Sequence, residues 1–542
     1  MRIETLDVFF PQPLAQVYIS NFLKVSRFFT YDPGQLSQLA KRLSYLSARR
    51  QKNHNYKTLA AVLRQDNLQL GCSEQTLHHI SLLETGRAVA LVTGQQPGLL
   101  TGPLYTVYKA MGTIVLARQL SAQLKIPVVP VFWIGADDHD FAEVNHIFVP
   151  NARGPQKIAL AYKPAGRCSL GHLPVPPEIF EFLQQLEQLT PPIGWQQEGL
   201  ALLRETARQS ADLAQWFGRL MTFLFKDDGL ILVNPVLPPL RELSAGVFYR
   251  AVNTAPAVNC LLQLACDRVA AAGFTPQVAS EANKLHLFMY INGQRTALYL
   301  KNDRISDRQG NHTWLPEQLA ELTLSRPESF SPDVVLRPVV QEALLPVLGY
   351  VAGPGEIAYW ALLKNIFQHF GLEMPPVFPR PSFILVEPPV GKILGKYQVS
   401  LNLLPEGLEG FMADYIKQAD PVGIDELFNN LRSVIKEEQT NLVQKVTQID
   451  PTLKGAGKEN LRRLMRVVNS FADKVKQRHR KNNETALRQL KKANEMLCPM
   501  GQQQERVYNI FPYLMKYSPG LLQAIYPAVR LYDGRQKIIF FN

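Results

Sequence analysis

From about residue 87 the chain alternates short β-branched and aliphatic runs with longer segments whose apolar positions recur every three or four residues. Apolar runs bounded by turn formers mark strands buried on both faces, and helical segments between them build parallel βα units. The clearest runs are Val89 to Thr93, Pro127 to Ile134 and Leu230 to Asn234. A further one near Gly349 to Ala352 leads into Gly353-Pro354-Gly355-Glu356 and the helical pattern IAYWALLKNIFQHF. Residues 1 to about 85 are polar and helix-leaning, without a strong strand signal, and read as a helical lead-in packed on the core. Between about 265 and 335, LHLFMYING and RTALYLKND flank Asn292-Gly293, a two-residue turn signal that predicts an antiparallel hairpin inserted in the sheet. Residues from about 150 to 225 read as another insertion.

After Pro388 and Pro389 the strand signals stop, and two long helical patterns follow at about 424 to 449 and 458 to 497. Asp450-Pro451 and Gly455-Ala456-Gly457 are predicted to make the turn between them. Leu427, Leu431, Val434, Leu442, Val446 and Ile449 on the first, and Leu461, Leu464, Val468, Phe471 and Val475 on the second, form a stripe that lapses between Lys476 and Thr485. So narrow a seam buries too little to stand alone, and pairing with a second chain is the expectation. The predicted organisation is an α/β core over 1–390, a helical hairpin or coiled coil over 391–500, and a segment over 501–542 that packs back on the core.

Composition changes this picture little. Apolar residues make up 46% and charged residues 19%, which excludes wholesale disorder. The N-terminus has no basic region followed by an apolar stretch, and no run approaches a membrane span, so a cytoplasmic protein without membrane contact is expected. Five scattered cysteines in no CxxC pair indicate neither a disulfide framework nor a zinc ribbon. The net charge of +12 could draw nucleic acid, but much of the excess lies in one C-terminal helical stretch, from Arg462 to Lys492, with few aromatics between. A solvated helix face accounts for it, and nucleic acid is not expected as a partner.

Two segments could carry chemistry at strand ends, where open α/β sheets bind ligands. Thr93-Gly94-Gln95-Gln96-Pro97-Gly98 continues through Thr101, Gly102 and Tyr105 into a helix, and its glycines, hydroxyls and amides suit phosphate or carboxylate. It is neither a Walker loop nor a GxGxxG fingerprint, and a structural turn is the competing reading. Asp137, Asp138, His139 and Asp140 follow the run PVVPVFWI as catalytic candidates. Clustered carboxylates can raise a pKa for acid/base work, or be relieved by Mg²⁺ or a substrate ammonium, whereas Asp140 with Glu143 also fits a plain helix cap. A third segment offers Gln341 and Glu342, then Gly353, Gly355 and Glu356, with Arg380 as a fixed cation. The absence of GxSxG, HExxH and Cys/His nucleophile patterns lowers hydrolase and metalloprotease readings, and no metal site is assigned.

TGQQPGLLTGPLYTVYKA, VPVFWIGADDHDFAEVNH, RPVVQEALLPVLGYVAGPGEIAYW and PPVFPRPSFILVE, in this order and followed by QERVYNIFPYL, resemble the bacillithiol biosynthesis cysteine-adding enzymes. The resemblance implies a Rossmann-like core related to class I synthetases and nucleotidyltransferases, with connecting-peptide insertions and a C-terminal coiled coil used for homodimerisation. It also implies a ligase that joins cysteine to glucosaminyl malate (GlcN-Mal) by an amide bond in the last step of bacillithiol synthesis. Such a bond from a free carboxylate is uphill, which points to an activated cysteine carboxyl and to ATP with Mg²⁺. Neither HIGH nor KMSKS, the ATP signatures of class I synthetases, stands in the chain. The alternatives are another ATP-dependent ligase or nucleotidyltransferase on the same core, and a basic coiled-coil binding protein with an inactive core.

Overall fold

The structure, a computed structural model, describes residues 1–6, 12–50, 55–151, 153–530 and 533–541. Two compact units emerge, one formed by Met1–Asn151, Pro155–Leu385 and Gln504–Asn542, the other principally by Val386–Gln503.

The first unit is built on five parallel strands, β1 (Val89–Gln95), β2 (Val128–Ile134), β3 (Ile231–Val233), β4 (Val347–Ala352) and β5 (Val377–Pro379). Their spatial order is β5-β4-β1-β2-β3. This is the Rossmann order 3-2-1-4-5, in which the chain winds outward from β1 in both directions and leaves a crevice at the carboxyl ends of β1 and β4. Side chains alternate between two buried clusters. Leu91, Phe132, Ile134 and Val351 face one, with helix α1 (Leu104–Leu124), and Val92, Val131, Trp133 and Tyr350 face the other, with α2 (Arg337–Leu344). Both faces are covered, which is why these strands read as unbroken apolar runs rather than alternating ones.

An antiparallel sheet from Lys284 to Pro332 is inserted between β3 and β4, its Asn292-Gly293 turn taking positive φ at both residues as a type I′ hairpin requires. The lead-in is helical, but its first residues differ from the sequence expectation: Arg2–Thr5 forms a strand antiparallel to Gln536–Phe540. A four-residue edge strand, RIET, carries too little apolar patterning to announce itself. Through this pairing the C-terminal segment returns to the α/β body.

In the second unit the hairpin consists of α4 (Ile424–Val446) and α5 (Leu453–Asn482), with Ile424, Phe428, Val468 and Ala472 forming a small seam. Gly455-Ala456-Gly457 lies inside α5 rather than in the turn. A Cβ on Gly457 would stand 2.3 Å from Val443 Cγ2, so this glycine serves close helix approach, and Asp450, which accepts from Thr452 N at 2.8 Å, shapes the turn instead. The second long pattern is also two helices, α5 and α6 (Glu484–Leu497), with the break falling where the stripe lapses. On α6, Asn494 bonds Leu408 N and the Glu409 carboxylate at 2.7 Å each.

Candidate functional site

A cavity of about 590 Å³ opens at the carboxyl ends of β1, β2 and β4 and lies wholly within the α/β unit. Gly94, Gln95 and Gln96 after β1, Asp137 and Asp138 after β2, and Gly353, Gly355 and Glu356 after β4 all line it, together with Tyr105 and Arg380. Arg337, which opens the third candidate segment, lines it as well, and the sequence did not single out several further lining groups: Lys109, Trp133, Lys284, Arg295, Asp333, Tyr359 and Arg506.

The loop after β1 divides in two. Gly94 is required by packing, since a Cβ there would meet the Trp133 carbonyl oxygen at 2.6 Å, and Gly98 would meet Gly102 Cα at 2.9 Å. The stretch from Leu99 to Gly102 turns inward, where Asn509 Nδ2 donates to the Leu100 and Gly102 carbonyls at 2.7 Å each. Gly98, Thr101 and Gly102 therefore shape a self-packed turn and do not line the cavity. Thr93 is also internal, its hydroxyl donating to the Val351 carbonyl at 2.8 Å and tying β1 to β4.

Lys109, on the second turn of α1, reaches back under this loop. It is 1% exposed and donates to the Gly94 carbonyl at 2.6 Å, to Gln95 Oε1 at 3.2 Å and to Glu356 Oε2 at 2.6 Å. Glu356 is the third residue of α3 (Pro354–Trp360), where it also accepts from Gly353 N at 2.7 Å and from the Tyr350 hydroxyl at 2.8 Å. Burial acts to raise the Glu356 pKa, but Lys109 and these donors outweigh it and hold it below the usual carboxylate value. Burial in turn lowers the Lys109 pKa, against the pull of Glu356. The pair pins the ends of β1 and β4 together across the crevice.

After β2 the four candidates separate. Asp137 is buried against Arg241, with the Tyr290 hydroxyl 3.3 Å away. Asp138 keeps an outward carboxylate that accepts from Gln96 Nε2 at 2.6 Å and from the His139 amide at 2.6 Å. His139 and Asp140 do not line the cavity. His139 Nδ1 lies 3.2 Å from Arg295 Nη1, and because a guanidinium only donates, Nδ1 accepts and Nε2 carries the proton. Burial, and then Arg295, lowers the His139 pKa. Asp140 precedes the short helix Phe141–Val144 without making a side-chain cap bond.

Gln341 and Glu342 lie on α2 away from the cavity. Glu342 is fully buried between Arg42 Nη2 at 2.7 Å and Arg49 Nη1 at 2.8 Å, so it fastens the lead-in helix Leu36–Arg50 to the core. Gln341 Oε1 accepts from Arg337 Nη1 at 3.1 Å.

The charge balance of the lining is uneven. Arg380 is matched by Glu505 at 2.6 Å, Lys109 by Glu356, Asp137 by Arg241 and Lys284 by Glu281 and Asp333. Arg295, Arg337 and Arg506 have no carboxylate within ion-pair distance among the described residues. Arg337 is held instead by neutral groups, Gln341 and the Tyr359 hydroxyl at 3.0 Å, and Arg506 lies over the Tyr105 ring at 5.8 Å. Trp133 adds a buried indole N–H with no hydrogen-bond partner among the described residues. Such a lining favours an anionic ligand, with Asp138 available as a proton acceptor. Among the described residues no group of three or more His, Cys, Asp or Glu side chains is arranged to hold a metal ion, and no helix is long and apolar enough to cross a membrane.

Comparison with known proteins covers almost the entire chain. Residues 1–381 match the N-terminal Rossmann-like domain of bacillithiol biosynthesis BshC, and residues 383–541 match its C-terminal coiled-coil domain. A relative from Desulforamulus reducens, named "Putative cysteine ligase BshC", is 55% identical over 100% of both chains. Relatives of the same name from Symbiobacterium thermophilum and Bacillus cytotoxicus are 38% identical over 97% of this chain and 96% of theirs, and 30% identical over 88% and 89%.

Proposed function

The chain belongs to the bacillithiol biosynthesis BshC family, and on that premise we propose that it is the ligase that joins the cysteine carboxyl to the amine of glucosaminyl malate, in the cytoplasm. The observation that carries the reading is the cavity at the switch point of the sheet, lined by one outward carboxylate and by three arginines that have no carboxylate partner among the described residues. Its volume falls within the roughly 300–1,000 Å³ of small-molecule sites.

In this reading Arg337 and Arg506 face the malyl carboxylates, and a planar guanidinium is suited to bind each of them through two hydrogen bonds. Asp138 accepts a proton from the glucosamine ammonium, which must lose it before nitrogen can attack a carbonyl. Its bonds from Gln96 and from the His139 amide fix the carboxylate without neutralising it. The Lys109–Glu356 pair keeps the two loops in register, so that nucleophile and electrophile meet in one geometry.

The uphill step calls for an activated cysteine carboxyl. ATP with Mg²⁺ would supply it, as a phosphate-type leaving group. The residues present fit a nucleotide's phosphates: Arg295 and the backbone from Gly94 to Gln96 lie in the same lining, with cationic charge to spare. Purified protein, cysteine and glucosaminyl malate, incubated with and without ATP and Mg²⁺, test the reading. Amide product is expected only with nucleotide. Equal product without it would remove ATP from the scheme, and no product under any condition would remove the substrate assignment.

The hairpin completes the proposal as a homodimer interface. Leu427, Val434, Leu442 and Phe471 are each more than half exposed, which leaves an apolar surface for a second copy to cover.

A further inference from the structure

Behind the cavity wall that carries Asp333 and Arg337 lies a buried histidine that the chemistry above does not use. His286 is 1% exposed and has a left-handed backbone, φ +58°. It sits in a bulge, where Lys284 stands opposite Tyr299 and Phe288 opposite Ala297. A non-glycine residue persists in that conformation only where its surroundings hold it there.

The surroundings are two oxygens. Nδ1 lies 2.8 Å from Asp333 Oδ2, and Nε2 lies 2.9 Å from Asn259 Oδ1. The orientation of the Asn259 amide is fixed by its other half, since Nδ2 donates to the Ala282 carbonyl at 3.0 Å and the Lys284 carbonyl at 2.9 Å. Turning the amide over would set its oxygen against two carbonyl oxygens. Both ring nitrogens of His286 therefore face atoms that only accept, and a neutral imidazole has a single N–H to give.

We infer that His286 is a doubly protonated imidazolium that acts as a positioning residue for the cationic wall of the cavity, fixing Asp333 and through it Arg337. The link to Arg337 is short. Asp333 N donates to the His286 carbonyl at 2.9 Å, and Asp333 Oδ1 accepts from Val335 N at 2.9 Å and Leu336 N at 3.3 Å. The Asp333 carbonyl accepts from Arg337 N at 2.9 Å. Burial alone would raise the Asp333 carboxyl, yet His286 and Lys284 keep it below its ordinary value. With one buried carboxylate serving His286 from behind and Lys284 from the side, none is left for Arg337, which stays available to an anionic ligand. A neutral residue at 286 would free Asp333 to turn toward Arg337 and fill the subsite from within.

The protonation state is independent of the ligase reading, and only the kinetic readout rests on it. In full-length protein labelled with ¹⁵N-histidine, the His286 ring signals are assigned by their loss in His286→Gln. Two pyrrole-type nitrogens at neutral pH are expected, and one pyridine-type nitrogen overturns the proposal. In the ligation assay His286→Gln is expected to raise KM for glucosaminyl malate about tenfold with kcat within about twofold. A folded variant with unchanged KM overturns the positioning role. If His286→Gln does not fold, Asn259→Ala takes its place in both arms, shifting only the His286 signals and raising KM about threefold; an unchanged KM counts against the proposal in the same way. Absence of any ligation by the wild type would defeat the substrate reading and leave the ring nitrogens to decide this one.

Discussion

In the α/β body the conspicuous residues are charges withdrawn from water: Glu342, Arg42, Lys109 and Arg380 are each 2% exposed or less. In the helical hairpin they are hydrophobes left in it, with Ile449 82%, Val467 69% and Phe471 59% exposed. Each departs from the usual partition, and the two departures mean different things. A buried ion pair adds little net stability because desolvation offsets its attraction, so what it supplies is position: Glu342 fixes the lead-in helix and Lys109 fixes two loops. An exposed apolar face has no such internal purpose. It is surface whose burial remains to be gained.

The contrast can be broken most severely at Glu342. Replacing it with Leu leaves Arg42 buried without its carboxylate and should cost about 3–5 kcal/mol, read from denaturant unfolding. If the loss is under about 1 kcal/mol, the buried charges are not positional. Next is Asp138→Asn, which keeps an acceptor for the neighbouring amides but removes the base. We expect kcat to fall about 100-fold with KM nearly unchanged. A fall confined to KM would make Asp138 a binding group instead. A smaller effect is expected from Val434→Ser with Phe471→Ser, which should weaken the dimer about tenfold or more in sedimentation while the ligation rate per folded chain at high protein concentration holds. A monomeric wild type would leave the hairpin face without its proposed cover.

What could be read in the sequence follows from the same physics. Unbroken apolar runs at 89–93 and 127–134 announce doubly covered strands because nothing else buries so many β-branched residues in succession. Gly94 to Gln96, Asp137 and Asp138 were legible because they follow those runs directly. Of the cationic side of the cavity, Arg380 was legible and most of the rest was not. Lys109 lies inside an apolar helix, Lys284, Arg295 and Asp333 come from the inserted sheet, and Arg506 arrives from the C-terminal segment, so only the folded chain places them beside β1. Glu342 and Thr101 misled in the other direction. Polar residues near glycine-rich turns look functional, yet the fold uses both internally, and no local pattern distinguishes a buried salt bridge from a ligand contact. Gly457 shows the same limit, since a residue that often makes turns here permits helix packing.

The smallest expected effect lies at His139, where a hydrogen bond and a shifted titration meet on one side chain. With Nδ1 accepting from Arg295, this histidine is held neutral, its pKa lowered first by burial and then by the guanidinium. A histidine whose folded-state pKa lies below its unfolded value of about 6.5 contributes its full stability above that value, and loses it as pH falls and the unfolded chain takes up the proton more readily. Wild type should therefore lose stability relative to His139→Gln between pH 7.5 and 5.5. The group is only half buried, so the change in the Tm difference should be about 1–2 °C. Ligation by His139→Gln should stay within about fivefold of wild type at neutral pH, because glutamine can still accept from Arg295. A Tm difference that moves the opposite way would mean the imidazole is protonated in the fold, Arg295 then donating elsewhere. A loss of kcat near 100-fold would return His139 to the catalytic group beside Asp138.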